Sequence, residues 1–169
     1  MQKIDFLSRF QLNTLVNTNK PLFSNNNKVS NNNKEAAVLI PLFERDNQLH
    51  VLLTLRASHL KHHAGQVSFP GGKVEPKDKD LIETALREAE EEIGLSRDNC
   101  NVLGQLQSYQ TLTGFRIKPI VAITPENYVY QMDKNEVAEI FSVPLAFFLN
   151  INNHFTVNSQ LNGNPHPVT

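Results

Sequence analysis

The sequence predicts an α+β or mixed α/β fold built on one sheet. Three observations carry that reading. Strand-like runs stand on both sides of a single amphipathic helix, 40% of the 169 residues are hydrophobic, and no internal repeat or bilayer-length apolar run breaks the pattern. A chain of this size most simply forms one domain with a sizeable core. Sixteen Lys plus Arg against seventeen Asp plus Glu leave a net charge of −1, so a protein that coats nucleic acid or an anionic membrane is excluded. The single Cys100 excludes an internal disulfide and a cysteine-based zinc cage. The first residues, MQKIDFLSRFQL, lack the apolar core of a signal peptide, and a cytoplasmic protein is expected.

The elements follow in order. Ile4, Phe6, Leu7, Phe10, Leu12 and Leu15 suit a short amphipathic helix over residues 1–16. SNNNKVSNNNK, residues 24–34, is polar and low in complexity and reads as a flexible connector. Residues 1–34 are therefore expected to form an N-terminal helix with an Asn-rich connector, and residues 35–169 the main domain. AAVLIPLF (36–43) reads as a buried strand despite Pro41, ERDNQ as a turn, and LHVLLTLR (49–56) as a second strand, which makes a hairpin. A loop rich in Gly and Pro leads to DLIETALREAEEEIG. Further strands are expected at 102–109 and 116–124, with a weaker one at EIFSV (139–143).

The helix has marked ends. Asp80 and Glu83 have capping-box spacing, and Gly94 supplies a C-terminal stop. Ile82, Ala85, Leu86, Ala89 and Ile93 recur every three or four residues as one apolar stripe, the buried face. Glu88, Glu91 and Glu92 stand at i, i+3 and i+4, so their carboxylates are expected to converge on another face, while Glu90 points elsewhere as a solvated charge. Like-charge pairs at such spacings cost only about 0.2–0.5 kcal/mol each on an exposed helix. Taken alone, the run reads as an ordinary wet face. The chemical reading beside it is that three carboxylates are hard oxygen ligands for Mg²⁺ or Mn²⁺. Arg87, one turn before Glu91, can orient that carboxylate. SFPGG (68–72) brings two glycines, for a tight turn or for a close backbone approach.

Together, GG followed by REAEEEIGL resembles the Nudix box, G-x5-E-x7-R-E-U-x-E-E-x-G-U with U apolar. Arg87, Glu88, Ala89, Glu91, Glu92, Gly94 and Leu95 fill its second half. The first half departs: Lys79 stands where the box has Glu, and the stretch from Gly72 to Arg87 is one residue longer than the commonest spacing. Asp78 is then the acidic stand-in, to contact metal, brace Arg87 or cap the helix; its shorter, displaced carboxylate favours bracing or capping. The resemblance implies the Nudix fold, a mixed β-sheet sandwiched between helices with a loop-helix-loop catalytic motif. It also implies hydrolysis of a nucleoside diphosphate linked to another group. Glu88 and Glu92 are the implied metal ligands, Glu91 a further ligand or the general base, and the Gly72 carbonyl a completing ligand. Arg87 is implied to hold the carboxylates in place. Glu136, on a loop past the last strong strand, matches downstream acids that serve as base or extra ligand in some members.

LLTLRASHLKHHAGQVSFPGG (52–72) resembles the segment before the box in the coenzyme A diphosphatase subfamily, L-L-T-x-R, a spacer, then H-x-G-x-V-x-F-P-G-G. Leu52, Leu53, Thr54, Arg56, His63, Gly65, Val67, Phe69 and Pro70 fit it, and the similarity continues through TGFRIKPIVA (113–122) and NEVAEIFSVPL (135–145). The implied reaction is metal-dependent hydrolysis of the coenzyme A diphosphate bond, giving 3′,5′-ADP and 4′-phosphopantetheine. Arg56, Lys61 and His63 are the residues set to meet its anionic groups, Arg being the best bidentate phosphate partner. No histidine has the neighbours of a zinc site. Two alternatives stand beside this reading: another Nudix specificity, such as ADP-ribose or dinucleoside polyphosphate hydrolysis, and a Nudix-like binding domain without turnover. Segment 52–72 speaks against the first and the intact box acids against the second. No nucleic-acid or membrane partner is expected, and the oligomeric state is open, with a homodimer as one alternative. INNHFTVNSQLNGNPHPVT ends without a closing helix, whereas family members continue with one more strand and helix; a naturally short or truncated C-terminal end is the expectation.

Overall fold

A computed structural model describes residues 1–16, 34–111, 113–155, 157–161 and 164–168. Strands β1 (Lys34–Arg45) and β2 (Gln48–Arg56) form the expected antiparallel hairpin. Its turn residues Asp46 and Asn47 both have positive φ, 50° and 58°, the two-residue geometry whose twist matches the flanking strands. The connector expected at 24–34 lies outside the described residues apart from Lys34, which opens β1.

The hairpin then splays. Between its arms run β3 (Val67–Ser68), which pairs with β2, and β4 (Gly71–Lys73), which pairs with β1 at Ala36, Ala37 and Val38. Pro70 joins them, and its carbonyl accepts Leu39 N–H at 2.8 Å. Pro41, which has no N–H to give, falls between the β4 ladder ending at Val38 and the β2 ladder starting at Leu42. A proline in this central strand therefore removes no ladder bond on that side. The diglycine is thus a short strand rather than a turn, and it makes the close backbone approach.

The sheet is mixed, as expected. β7 (Phe115–Ile123) lies parallel to β1, whereas β5 (Asn101–Gln105), β6 (Tyr109–Gln110) and β8 (Val137–Pro144) join antiparallel neighbours. The single strand expected at 102–109 is two short ones, because the chain leaves β7 after Leu106, whose N–H still reaches the Pro119 carbonyl at 2.9 Å, and returns at Tyr109. Conversely, the segment expected to be weakest grows into β8, which pairs with β2 from His50 to Arg56.

Alternation along the strands divides the core into two layers. Ala37, Leu39, Phe43, Leu52, Ile120 and Ala122 meet helix α2 (Leu81–Ile93) through Ala85, Ala89 and Ile93. Leu42, Leu49, Val51, Leu53 and Val121 meet Phe6 and Phe10 of helix α1 (Lys3–Val16), whose rings stack 5.4 Å apart. The sheet is therefore sandwiched between helices. Past β8 come the short α3 (Leu145–Leu149) and an antiparallel hairpin of β9 (Val157–Leu161) and β10 (Asn164–Val168). Among the described residues no helix is long and apolar enough to cross a membrane.

Candidate active site

Helix α2 is fixed at both ends by the residues its sequence supplies. Asp80 accepts Glu83 N–H at 2.8 Å, satisfying one of the donors orphaned at a helix start, and Glu83 Oε2 reaches back past the cap to accept Lys79 N–H at 2.9 Å. At the other end Gly94 takes the left-handed conformation, φ 66°, and Leu95 N–H reaches back to the Ala89 carbonyl at 3.2 Å. The small Ala85 and Ala89, both fully buried, let the helix lie close to the sheet, and its acidic flank then abuts β4.

Arg87 is the hub. It is buried and donates from Nε and Nη2 to the two oxygens of Asp78 at 2.9 and 3.0 Å, and from Nη1 to Glu88 and Glu91, both at 2.9 Å. Nη2 also donates to the Lys73 carbonyl at 3.0 Å. Asp78 in turn accepts Glu75 N–H and the Thr84 hydroxyl. Of the three roles open to Asp78, the structure therefore gives bracing of Arg87, while Asp80 caps the helix. The hydrogen bonds from Arg87 hold the Asp78 carboxyl well below the usual carboxylate range, and the same bonds raise Arg87. Lys79 is exposed, and among the described residues only its backbone is engaged.

Glu88 and Glu92 face β4. The Glu88 carboxylate lies so near Gly72 that a Cβ there would stand 2.3 Å from its Oε1. Glu92 is 4% exposed; its Oε2 accepts Gly71 N–H at 3.3 Å and its Oε1 lies 3.8 Å from Arg56 Nη1. Burial pushes the Glu92 carboxyl up to about 8, against the Gly71 N–H, and the neighbouring charges of Glu136 and Glu88 add to the rise. Burial likewise raises Glu88, against Arg87, with Glu91 and Glu136 adding. Glu136 stands on a loop tied to the end of β2, where its carbonyl accepts Ala57 N–H at 2.9 Å.

The convergence expected of Glu88, Glu91 and Glu92 is not what the side chains adopt. Glu91 is half exposed and turned toward Arg87 and Lys77. Among the described residues no three His, Cys, Asp or Glu side chains are arranged to hold a metal ion. What remains is a donor set of oxygen alone: the Glu88 and Glu92 carboxylates beside the Gly71–Gly72 backbone. Two carboxylates with room for water and substrate oxygens fit a hard divalent cation. A buried Glu92 with a single long hydrogen bond is also a carboxylate short of partners.

The remaining expected residues divide. Arg56 lies 3.8 Å from the Glu92 carboxylate, whereas Lys61 and His63 stand exposed on the loop between β2 and β3. His63 has a positive φ of 56° and shares a 2.8 Å hydrogen bond with Gln66. Glu90 lies on the outer flank, paired with Arg97 at 3.1 Å. Sequence reasoning missed three participants: Gly71 as the donor to Glu92, the Lys73 carbonyl as an acceptor for Arg87, and Thr84. Only Gly71 had a signal, in its place beside Gly72; the other two act through tertiary contacts that no spacing encodes.

A mixed sheet between helices, with an acidic helix laid against a diglycine strand, defines the class of fold. The family model for the NUDIX domain matches residues 33–147, and the chain belongs to the Nudix family. It is 41% identical over 164 residues to the "Uncharacterized Nudix hydrolase NudL" of Yersinia enterocolitica, covering 97% of this chain and 79% of that one. A Salmonella dublin protein of the same description is 42% identical over 163 residues, covering 96% and 80%. Among solved structures, a C. elegans Ap4A hydrolase binary complex superposes with a TM-score of 0.57 at 19% identity, covering 72% of this chain and 87% of that one, a likeness of fold. The protein is accordingly a Nudix hydrolase of phosphorus-containing anhydrides, acting on a small-molecule nucleoside diphosphate derivative, in a family that generally uses divalent metal ions.

Proposed function

We propose that the protein hydrolyses the diphosphate bond of coenzyme A and its derivatives, with Mg²⁺ or Mn²⁺, to 3′,5′-ADP and 4′-phosphopantetheine. One observation carries the reading. The segment that resembles the coenzyme A subfamily, residues 52–72, is the segment whose backbone and Arg56 border Glu88 and Glu92. Glu88, Glu92 and the Gly72 carbonyl would hold the cation. Bound there, a divalent ion offsets phosphate charge and lowers the pKa of a water. Arg87 keeps Glu88 oriented through Nη1 while Asp78 fixes the guanidinium plane. Arg56 and, from an exposed loop, Lys61 and His63 meet the anionic groups of the substrate. Glu91 and Glu136 are the carboxylates left to act as base or further ligand, and Glu136, whose charge bears on both Glu88 and Glu92, is the better situated.

The test is a substrate panel at fixed Mg²⁺ or Mn²⁺: coenzyme A, its 3′-dephospho form, ADP-ribose and a dinucleoside polyphosphate. Coenzyme A is expected to give the highest kcat/KM, with 3′,5′-ADP released only when the cation is present. A preference for ADP-ribose or the dinucleoside would overturn the substrate and leave the hydrolase, as would no turnover of coenzyme A or its 3′-dephospho form.

A further inference from the structure

Arg87 has committed its guanidinium to Asp78, Glu88, Glu91 and the Lys73 carbonyl. Arg56 is the cation that faces Glu92, and its situation is different. Its backbone is pinned on both sides: Arg56 N–H donates to the Gln66 carbonyl at 3.0 Å, and its own carbonyl accepts Gly65 N–H at 3.1 Å. The register shifts between Leu55 and Arg56, and Arg56, opposite Val137, is the last β2 residue on the β8 ladder. The head group, by contrast, is barely held. Nη1 stands 3.8 Å from Glu92 Oε1, an ion pair too long for a hydrogen bond, and the buried Nε has no partner among the described residues. A fixed base with an under-satisfied head is a side chain that exchanges partners readily.

From this geometry we infer that Arg56 competes with the divalent cation for Glu92, is displaced when the ion binds, and is thereby released toward a phosphate of the substrate. A divalent ion brings twice the charge and direct oxygen ligation, so Glu92 cannot serve both at full strength, and the ion repels the guanidinium. The freed fork has five donors suited to two phosphate oxygens at once. Cation and phosphate would then bind cooperatively, each improving the other's affinity by the same factor. The competition stands on the Arg56–Glu92 pair alone; the release toward a phosphate rests on the diphosphatase reading proposed above.

The test needs no substrate. Mn²⁺ is titrated at one fixed pH, with the free aqueous ion followed by its paramagnetic resonance signal, into wild type, Arg56→Gln, Arg56→Lys, Glu92→Gln and the Arg56→Gln/Glu92→Gln pair. Removing the competitor should tighten Mn²⁺ binding by about five- to fiftyfold in Arg56→Gln, while Arg56→Lys, which keeps the charge, stays close to wild type. In the Glu92→Gln background the gain from Arg56→Gln should vanish. Should Arg56→Gln not fold, Arg56→Met keeps the buried stem and carries the same expectation. Unchanged or weaker Mn²⁺ binding in a folded Arg56 variant overturns the inference, as does a gain that persists without Glu92. Failure of coenzyme A as substrate would leave these titrations untouched, so the two proposals fall separately.

Discussion

At the scale of single residues, the adjacent glycines of β4 answer to different neighbours. A Cβ on Gly71 would stand 2.4 Å from the Ala37 carbonyl oxygen and 2.6 Å from Val38 Cα, backbone atoms that cannot move without spreading two strands. A Cβ on Gly72 would meet the far end of Glu88, a side chain that can swing aside. Gly71→Ala is therefore expected to lower the unfolding midpoint by several degrees, whereas Gly72→Ala should unfold near wild type and still lose metal affinity and turnover, because Glu88 has been pushed off its station. Thermal unfolding beside Mn²⁺ titration separates them; equal destabilisation by both would mean that Glu88 has no freedom to yield. The sequence shows a pair of glycines and the spacing of the acids. Which glycine serves the fold and which the carboxylate depends on the register of β4 against β1, and that is a tertiary fact.

The same contrast holds for whole elements. Helix α2 was legible because every determinant is local: an N-cap, an apolar stripe, a left-handed glycine at its end. Strands β3 and β4 were not, since two- and three-residue strands have no periodicity, and SFPGG reads as a turn until the splayed hairpin is there to receive it. The loop before α2 falls between. Its extra residue was visible, yet only the structure shows Asp78 buried beneath Arg87 with both oxygens engaged and Lys79 left in solvent. Asp78→Ala takes from the buried Arg87 the partner of its Nε and one of two on Nη2, leaving Glu88, Glu91 and the Lys73 carbonyl, so the loss should approach but not exceed the roughly 3–5 kcal/mol of a fully broken buried pair. Lys79→Ala should change stability and activity little. Chemical denaturation of the two variants tests this, and a larger loss from Lys79→Ala would mean that the carboxylate bracing Arg87 has been misassigned.

For the molecule as a whole, the acids of the site and the brace below it set opposite pH dependences. Asp78 is depressed, so its contribution to stability is present above the ordinary Asp pKa and is lost as pH falls through its lower folded value. Glu92 runs the other way. With a folded pKa of about 8 and an unfolded one near the ordinary Glu value, it keeps its proton better in the folded state. The folded protein is thus least penalised by Glu92 in acid and loses stability as pH rises toward 8, by at most about 5 kcal/mol. Glu88, raised by burial as well, adds to the slope. A divalent cation requires the ionised carboxylate, so its binding expels the Glu92 proton and its stabilising effect should grow across the same interval. Unfolding midpoints from pH 5 to 9, with and without Mg²⁺, should therefore diverge toward alkaline pH. Glu92→Gln should flatten the metal-free curve, raise the midpoint at pH 8, remove most of the Mg²⁺ increment and lower turnover by about 10²–10³-fold. The variant would be more stable than wild type because the buried charge it lacks is the one catalysis demands. If instead it proves less stable at pH 8 and the wild-type curve is flat, Glu92 is an ordinary solvated carboxylate and the cation must be held elsewhere.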